Sequence, residues 1–470
     1  MVRAPVTSDV PVHMKRTRKH FTFEEKMSLR RLIVSTRVSR VFAATAVLLA
    51  SQGCGSLSKP AVSTAEGPSV MLTNGKWFNG SGFAERTMYM SGGVFTEASR
   101  VKPDSVIDLR GGFVVPPFAE AHNHNFDASS PETAKAVVAR YMKDGIFYGQ
   151  NPCNVLRARS GLAGYINVPT GIDVTFSNAC ITGPRGHPIG LFLRNLSRGG
   201  MSASDTNSTE GFIWIIANHN DLARKWPAIL AGKPDFIKVM LLYSDEYEKR
   251  QNDTSYFNWS GLDPKLVPEI VRRSHSAGLR VMAHIETAAD FRNALDAGVD
   301  QIGHTPGFRG NEQTRFPRTE PFELSDEDAA RAARQGVYVV TTLSGFTALS
   351  PTGPDSITRR RADSLFIRNL GMMKKHGVRV IVGSDSFRNT SVPEAIYLAS
   401  LGVYTNAELL RMWADVTAQA IFPNRRIGRL APGFEASFLV LDRDPLADFA
   451  NVKTIRLRVK QGMTIPEPAS

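Results

Sequence analysis

The sequence predicts an α/β protein, a (β/α)8 (TIM) barrel carrying a small discontinuous β-sandwich, on three observations. Short apolar runs alternate with amphipathic stretches over about 300 residues, the pattern of a parallel sheet covered by helices. The flanking stretches, SVMLTNGKWFNGSG to SVIDLRGG before and RRIGRLAPGFEASFLVLDRDPLAD after, read instead as short strands broken by turns. The length of 470 residues suits one large barrel with an added small domain. The expected boundaries are a leader and linker at 1–66, a sandwich split between 67–112 and 424–465, and a barrel at 113–423.

The leader explains most of the charge. Residues 1–60 hold eleven Lys/Arg against three acids, so the formal net charge of +13 leaves only about +5 for the rest of the chain. That is an ordinary surface, and it argues against a nucleic-acid partner. MSLRRLIVSTRVSR (27–40) supplies a positive region and VFAATAVLLA (41–50) an apolar one too short to span a bilayer, as in a signal peptide. SQGCG follows, with Cys54 where the lipidated cysteine of a bacterial lipoprotein would lie. Gly53 fits that pattern, whereas Ser51 and Gln52 depart from its apolar-small pair. The expected address is the periplasm or cell envelope, with membrane anchoring through Cys54 if it is lipidated. In such an oxidising compartment the two other cysteines, Cys153 and Cys180, could pair.

Eight strands are expected at 113–122, 145–150, 171–177, 236–241, 279–284, 299–304, 337–343 and 378–385. Between them, PETAKAVVARYMKDG opens on Pro and an acid and closes at Gly, as a capped helix does. PKLVPEIVRRSHSAG and ADSLFIRNLGMMKKHG each finish on basic residues and Gly. Polar insertions at 197–211, 244–261 and 306–320 all follow a strand, which in a barrel is the active-site face.

Ionisable residues fall at that same end. His122 and His124 close the first strand, Lys238 lies in the fourth, and His284, His304 and Asp385 close the fifth, sixth and eighth. His275 and His376 serve as controls: they precede strands, at helix C-termini, where a basic side chain is stabilised by the helix dipole. His187, in TGPRGHP after the third strand, is a candidate for substrate contact. A lone His-x-His is usually a turn or surface pair. Four histidines and an aspartate gathered at one end suit a divalent metal, zinc above all, and residues i and i+2 of a strand point to one side.

These motifs resemble the amidohydrolase superfamily, and its imidazolonepropionase-like and Xaa-Pro-dipeptidase-like members most. The likeness covers about residues 70–465 and rests on SVIDLRGGFVVPPFAEAH, TGPRGHP, GVDQIGH, GVRVIVGSDS and the closing IGRLAPGFEASFLVLDRDPLAD. It implies cleavage of an amide-type C–N bond in a small-molecule substrate by metal-activated hydroxide. His122, His124 and Asp385 would hold one ion, and His284 and His304 a second, bridged by Lys238 if that lysine is carboxylated; otherwise one ion is expected. Asp385 would also act as the general acid and base. Two departures bear on the substrate. The usual Pro-Gly-Leu-Ile-Asp lead-in reads Pro116-Pro117-Phe118-Ala119-Glu120, and Glu286 stands where dipeptidase-like relatives place a tyrosine. Glu286 either disfavours a substrate carboxylate and prefers a basic group, or is a helix-start acid. The alternatives are a mononuclear deaminase or cyclic-imide hydrolase, and, from another class, a non-catalytic ligand- or metal-binding envelope lipoprotein.

Overall fold

The computed structural model describes residues 67–97, 102–199, 202, 206–307, 319–345 and 356–467. The expected signal segment, Cys54 and most of the 306–320 insertion lie outside the described residues. The chain begins with β1 (Val70–Phe78), β2 (Phe83–Ser91), β3 (Val94–Thr96), β4 (Ser105–Asp108) and β5 (Phe113–Val115). Parallel strands follow: β6 (Phe118–Glu120), β7 (Ile146–Asn151), β8 (Asp173–Phe176), β9 (Cys180–Thr182), β10 (Ile213–Ile215), β11 (Ile237–Met240), β12 (Val281–His284), β13 (Gln301–Ile302), β14 (Tyr338–Val340) and β15 (Arg379–Ile381). It ends in β16 (Phe438–Leu441), β17 (Ile455–Lys460) and β18 (Met463–Ile465).

The first and last groups form one sheet in the order β18-β17-β16-β5-β1-β2-β3, with β4 beside β1. Its edge strand β3 meets the lead-in to β16: Phe95 N donates to Phe434 O and Ala436 N to Gly93 O, each at 2.8 Å. Trp77, Phe95 and Phe438 pack with ring centroids 5.7 to 6.0 Å apart, an aromatic core that draws β1, β3 and β16 together. The run expected as one strand, FVVPPFAEAH, divides between sheets: β5 pairs with β1 and β16, and β6 with β7. Pro116 and Pro117 lack the N–H groups that would continue the ladder, so the chain leaves one sheet there and joins the next. The small sheet therefore reaches Val115, beyond the boundary expected at 112.

The parallel strands make a sheet of order β10-β9-β11-β12-β13-β14-β15 and another of order β6-β7-β8. Ala121 N donates to Val382 O at 2.9 Å where β6 and β15 end, and Asp235 N to Phe176 O at 2.8 Å between β8 and the start of β11. Each of the eight expected strands contains one of these; β9 and β10 are additional. Helix Pro131–Lys143 is opened by a Ser130–Thr133 capping box, and helices Val267–Ser276 and Ser356–His376 end on the expected basic residues. No helix among the described residues is long and apolar enough to cross a membrane.

Cys153, just after β7, is bonded to Cys180 at the start of β9, with Cα atoms 4.9 Å apart. The bond closes a 27-residue separation, which loop entropy translates into about 3.5 kcal/mol of stabilisation. Cys180→Ser should lower the urea midpoint accordingly, and reduction should shift the wild type but not the variant. A variant as stable as wild type would contradict this.

Candidate metal centre

All parallel strands present their C-terminal ends to one side, and the chemically active residues leave from there. β6 is followed by His122 and His124, β13 by His304 and β15 by Asp385, while β12 ends on His284 and Lys238 lies within β11. Backbone hydrogen bonds tie the β6 and β15 ends together: Asp385 N donates to His122 O at 2.7 Å and His124 N to Ser386 O at 3.0 Å. Asp385 has φ 52°, a left-handed conformation that costs a residue with a side chain about 1–3 kcal/mol and recurs at functional sites.

The carboxylate of Asp385 sits among three imidazoles. Its Oδ1 is 3.0 Å from His124 Nε2 and 3.4 Å from His122 Nε2, and its Oδ2 is 3.9 Å from His304 Nδ1. His304 Nε2 in turn lies 2.8 Å from His284 Nδ1, and His284 Nε2 is 3.3 Å from Glu286 Oε1. The His187 ring stacks on His284 with centroids 5.0 Å apart. Seven of the eight residues singled out in the sequence thus form one contiguous cluster; the eighth, Lys238, packs beneath it.

The donor set fits a divalent cation. Ligand atoms of His122, His124 and Asp385 all lie within 4.8 Å of one another. His122 Nδ1 is 2.8 Å from the carbonyl of Gly303, which can only accept, so Nδ1 carries the proton and the Nε2 lone pair faces Asp385. Burial, and then the charge of Lys238, hold the His122 imidazole well below its ordinary pKa, against the pull of Asp385. That direction favours the neutral imidazole, the form a metal requires. Lys238 is 1% exposed, with Nζ 3.5 Å from the sulfur of Met282. A Cβ at Gly383 would come within 2.8 Å of the backbone N of His122, which explains a glycine there.

Two acids that hold the cluster were missed in the sequence. Glu120 is fully buried beneath it: Oε1 accepts from Ser384 N at 2.8 Å and His122 N at 3.2 Å, and Oε2 from Ser384 Oγ at 2.8 Å and Asn123 Nδ2 at 3.3 Å. Burial pushes its carboxyl up to about 8, opposed by these donors. Asp290, also fully buried, accepts from the backbone N–H groups of Tyr243, Ser244, Glu286 and Thr287 at 2.7 to 3.1 Å. It joins the segments after β11 and β12. Thr287 and Asp290 form the capping box of helix Ala288–Ala297, so Glu286 stands outside the helix with its carboxylate toward His284. An acid inside the apolar run FVVPPFAEAH was the available signal for Glu120; Asp290 had no signal beyond its capping position.

The control histidines lie elsewhere, as expected: His275 Nε2 is 2.9 Å from Asp300 and His376 Nε2 is 2.7 Å from Asp326.

A cluster of histidines with one aspartate at the ends of parallel strands is a donor set suited to a divalent metal. Residues 242–462 match the model of the amidohydrolase family. Among solved structures, ochratoxinase of A. niger is similar at 16% identity and TM-score 0.66, covering 85% of this chain and 96% of that one. A putative prolidase from Bifidobacterium longum is similar at 17% identity and TM-score 0.62, covering 86% and 95%. A Xaa-Pro dipeptidase with bound methionine is similar at 16% identity and TM-score 0.61, covering 84% and 99%. No curated protein matches the chain. Over residues 242–462 the chain is similar to the amidohydrolase family, and the solved structures share its fold.

Proposed function

We propose that the chain is an exported, metal-dependent hydrolase of amide-type C–N bonds, with His122, His124 and Asp385 holding one divalent ion, zinc by the nature of the donors. The observation that carries this is the convergence of those three ligand atoms, with the His122 ring oriented by its bond to the Gly303 carbonyl. His284, His304 and a carboxylated Lys238 would hold a second ion. The hydrogen bonds joining β6 to β15 and β8 to the lead-in of β11 support reading eight strands as a closed (β/α)8 barrel. The contact of β3 with the lead-in to β16 supports reading the small sheet as a folded-over sandwich, made of 67–115 and 424–465 around a barrel from 116 to 423. The Cys153–Cys180 bond suits an oxidising periplasm; lipid anchoring at Cys54 is part of the same proposal.

A metal at this site would supply Lewis-acid polarisation of the carbonyl and lower the pKa of a bound water toward 7. The chain's own part begins with Asp385, whose carboxylate is 25% exposed and so open to the mouth of the site. It takes a proton from the attacking water and returns it to the leaving nitrogen as the new C–O bond replaces C–N. His122 and Glu120 hold the geometry, Glu286 offers negative charge to a basic substrate group, and His187 contacts the substrate from the other side of His284. Similar proteins act on dipeptides with proline and on ochratoxin by their names, and a small amide or dipeptide-like substrate is the corresponding expectation here.

One observation favours the mononuclear reading: the His122–His124–Asp385 set is the single three-ligand group among the described residues, and His284 and His304 bond to each other. Metal analysis of the purified chain decides, at about two ions per chain for the first reading and about one for the second. Chelation should abolish hydrolysis across a panel of amides, dipeptides and lactams, and zinc should restore it. A metal-loaded protein inactive on all of them would favour a binding lipoprotein.

A further inference from the structure

The ring of Phe387, two residues beyond Asp385, is stacked on His124 with centroids 5.0 Å apart and planes 18° apart, yet it remains 57% exposed. One side of the ring is thus committed to a candidate ligand, and much of the rest is open to solvent beside it. A large apolar group in that position adds little to the core, and covering it would remove apolar surface from water. Leu193 and Phe257, also exposed, hang from the segments after β9 and β11. Asn258 links those segments: its Oδ1 accepts from Gly190 N at 2.8 Å, and its amide is 3.5 Å from His187 Nδ1. The His cluster is therefore flanked by Phe387 on the His124 side and by His187, with Phe257 and Leu193 on the segments around it, on the His284 side.

We infer that Phe387 is a substrate-contacting, specificity-determining residue, selecting amides that carry an aromatic or bulky apolar substituent a few bonds from the scissile carbonyl. This rests on the hydrolytic reading and narrows its substrate class. Aromatic rings prefer offset or edge-on partners, and Phe387 presents its open edge and far face to such a partner beside Asp385.

The test is saturation-transfer NMR titration of the metal-loaded full chain with 3-phenylpropanamide and with butanamide. Wild type should bind the aromatic amide more tightly. Phe387→Ala should weaken that binding about tenfold while changing butanamide affinity less than about twofold, and Phe387→Tyr should restore it. Equal affinity of wild type and Phe387→Ala for 3-phenylpropanamide would overturn the inference, as would wild-type affinity no greater for it than for butanamide. An alanine variant that sheds metal yet binds the aromatic amide normally would also overturn it, leaving the ring as a support of His124 alone. The hydrolytic reading fails by a different result, the absence of turnover in the amide panel.

Discussion

Asp385→Asn should reduce kcat/KM by about 10³-fold while leaving the urea midpoint unchanged. The two halves of this expectation have separate causes. The backbone at 385 is left-handed, with φ 52°, and asparagine occupies that region as readily as aspartate does. The hydrogen bond from residue 385 N to His122 O belongs to the main chain and survives the change. What is lost is the anionic oxygen 3.0 Å from His124 Nε2 and 3.4 Å from His122 Nε2, which is both a ligand charge and the proposed carrier of the proton. Measuring metal content beside kinetics separates these roles: a variant that keeps its metal and loses turnover isolates proton transfer. Retention of more than half the activity would exclude Asp385 from the chemistry.

The strands were legible because strands buried on both faces are continuous apolar runs, and all eight runs read in this way contain a strand. β9 escaped notice because Asn178, with φ 56°, breaks the run between it and β8. The histidine cluster was legible because its members differ from His275 and His376 in which end of a strand they occupy. Phe113–Val115 was assigned to the wrong sheet because apolarity says nothing about which neighbour a strand pairs with; the two prolines after it did carry that information. The roles of Glu120 and Asp290 were not legible for a related reason. Their partners lie on other segments, Ser384 being 264 positions from Glu120, and no local pattern reveals a hydrogen bond across that separation.

Glu120 accordingly provides the second large effect. Glu120→Ala should destabilise the chain by about 2–3 kcal/mol, as loss of the acceptor for buried hydrogen-bond donors does, and weaken metal binding about 10–100-fold. The carboxylate is fully buried and joins four donors drawn from the two segments that carry His122 and Asp385. Alanine would orphan the N–H of His122 in a place water does not reach, at about 1–3 kcal/mol, and leave Ser384 N with only its longer bond to His122 O at 3.2 Å. Glu120→Gln should fall between the two, since its carbonyl can still accept from one pair of donors while its amide faces the other pair as a donor to donors. The order Glu, Gln, Ala should appear both in urea midpoints and in metal dissociation constants, because one set of hydrogen bonds fixes the fold of the two segments and the spacing of the ligands. A Glu120→Ala protein within about 1 kcal/mol of wild type, or one that loses stability without losing metal affinity, would break that link and reduce Glu120 to a packing residue.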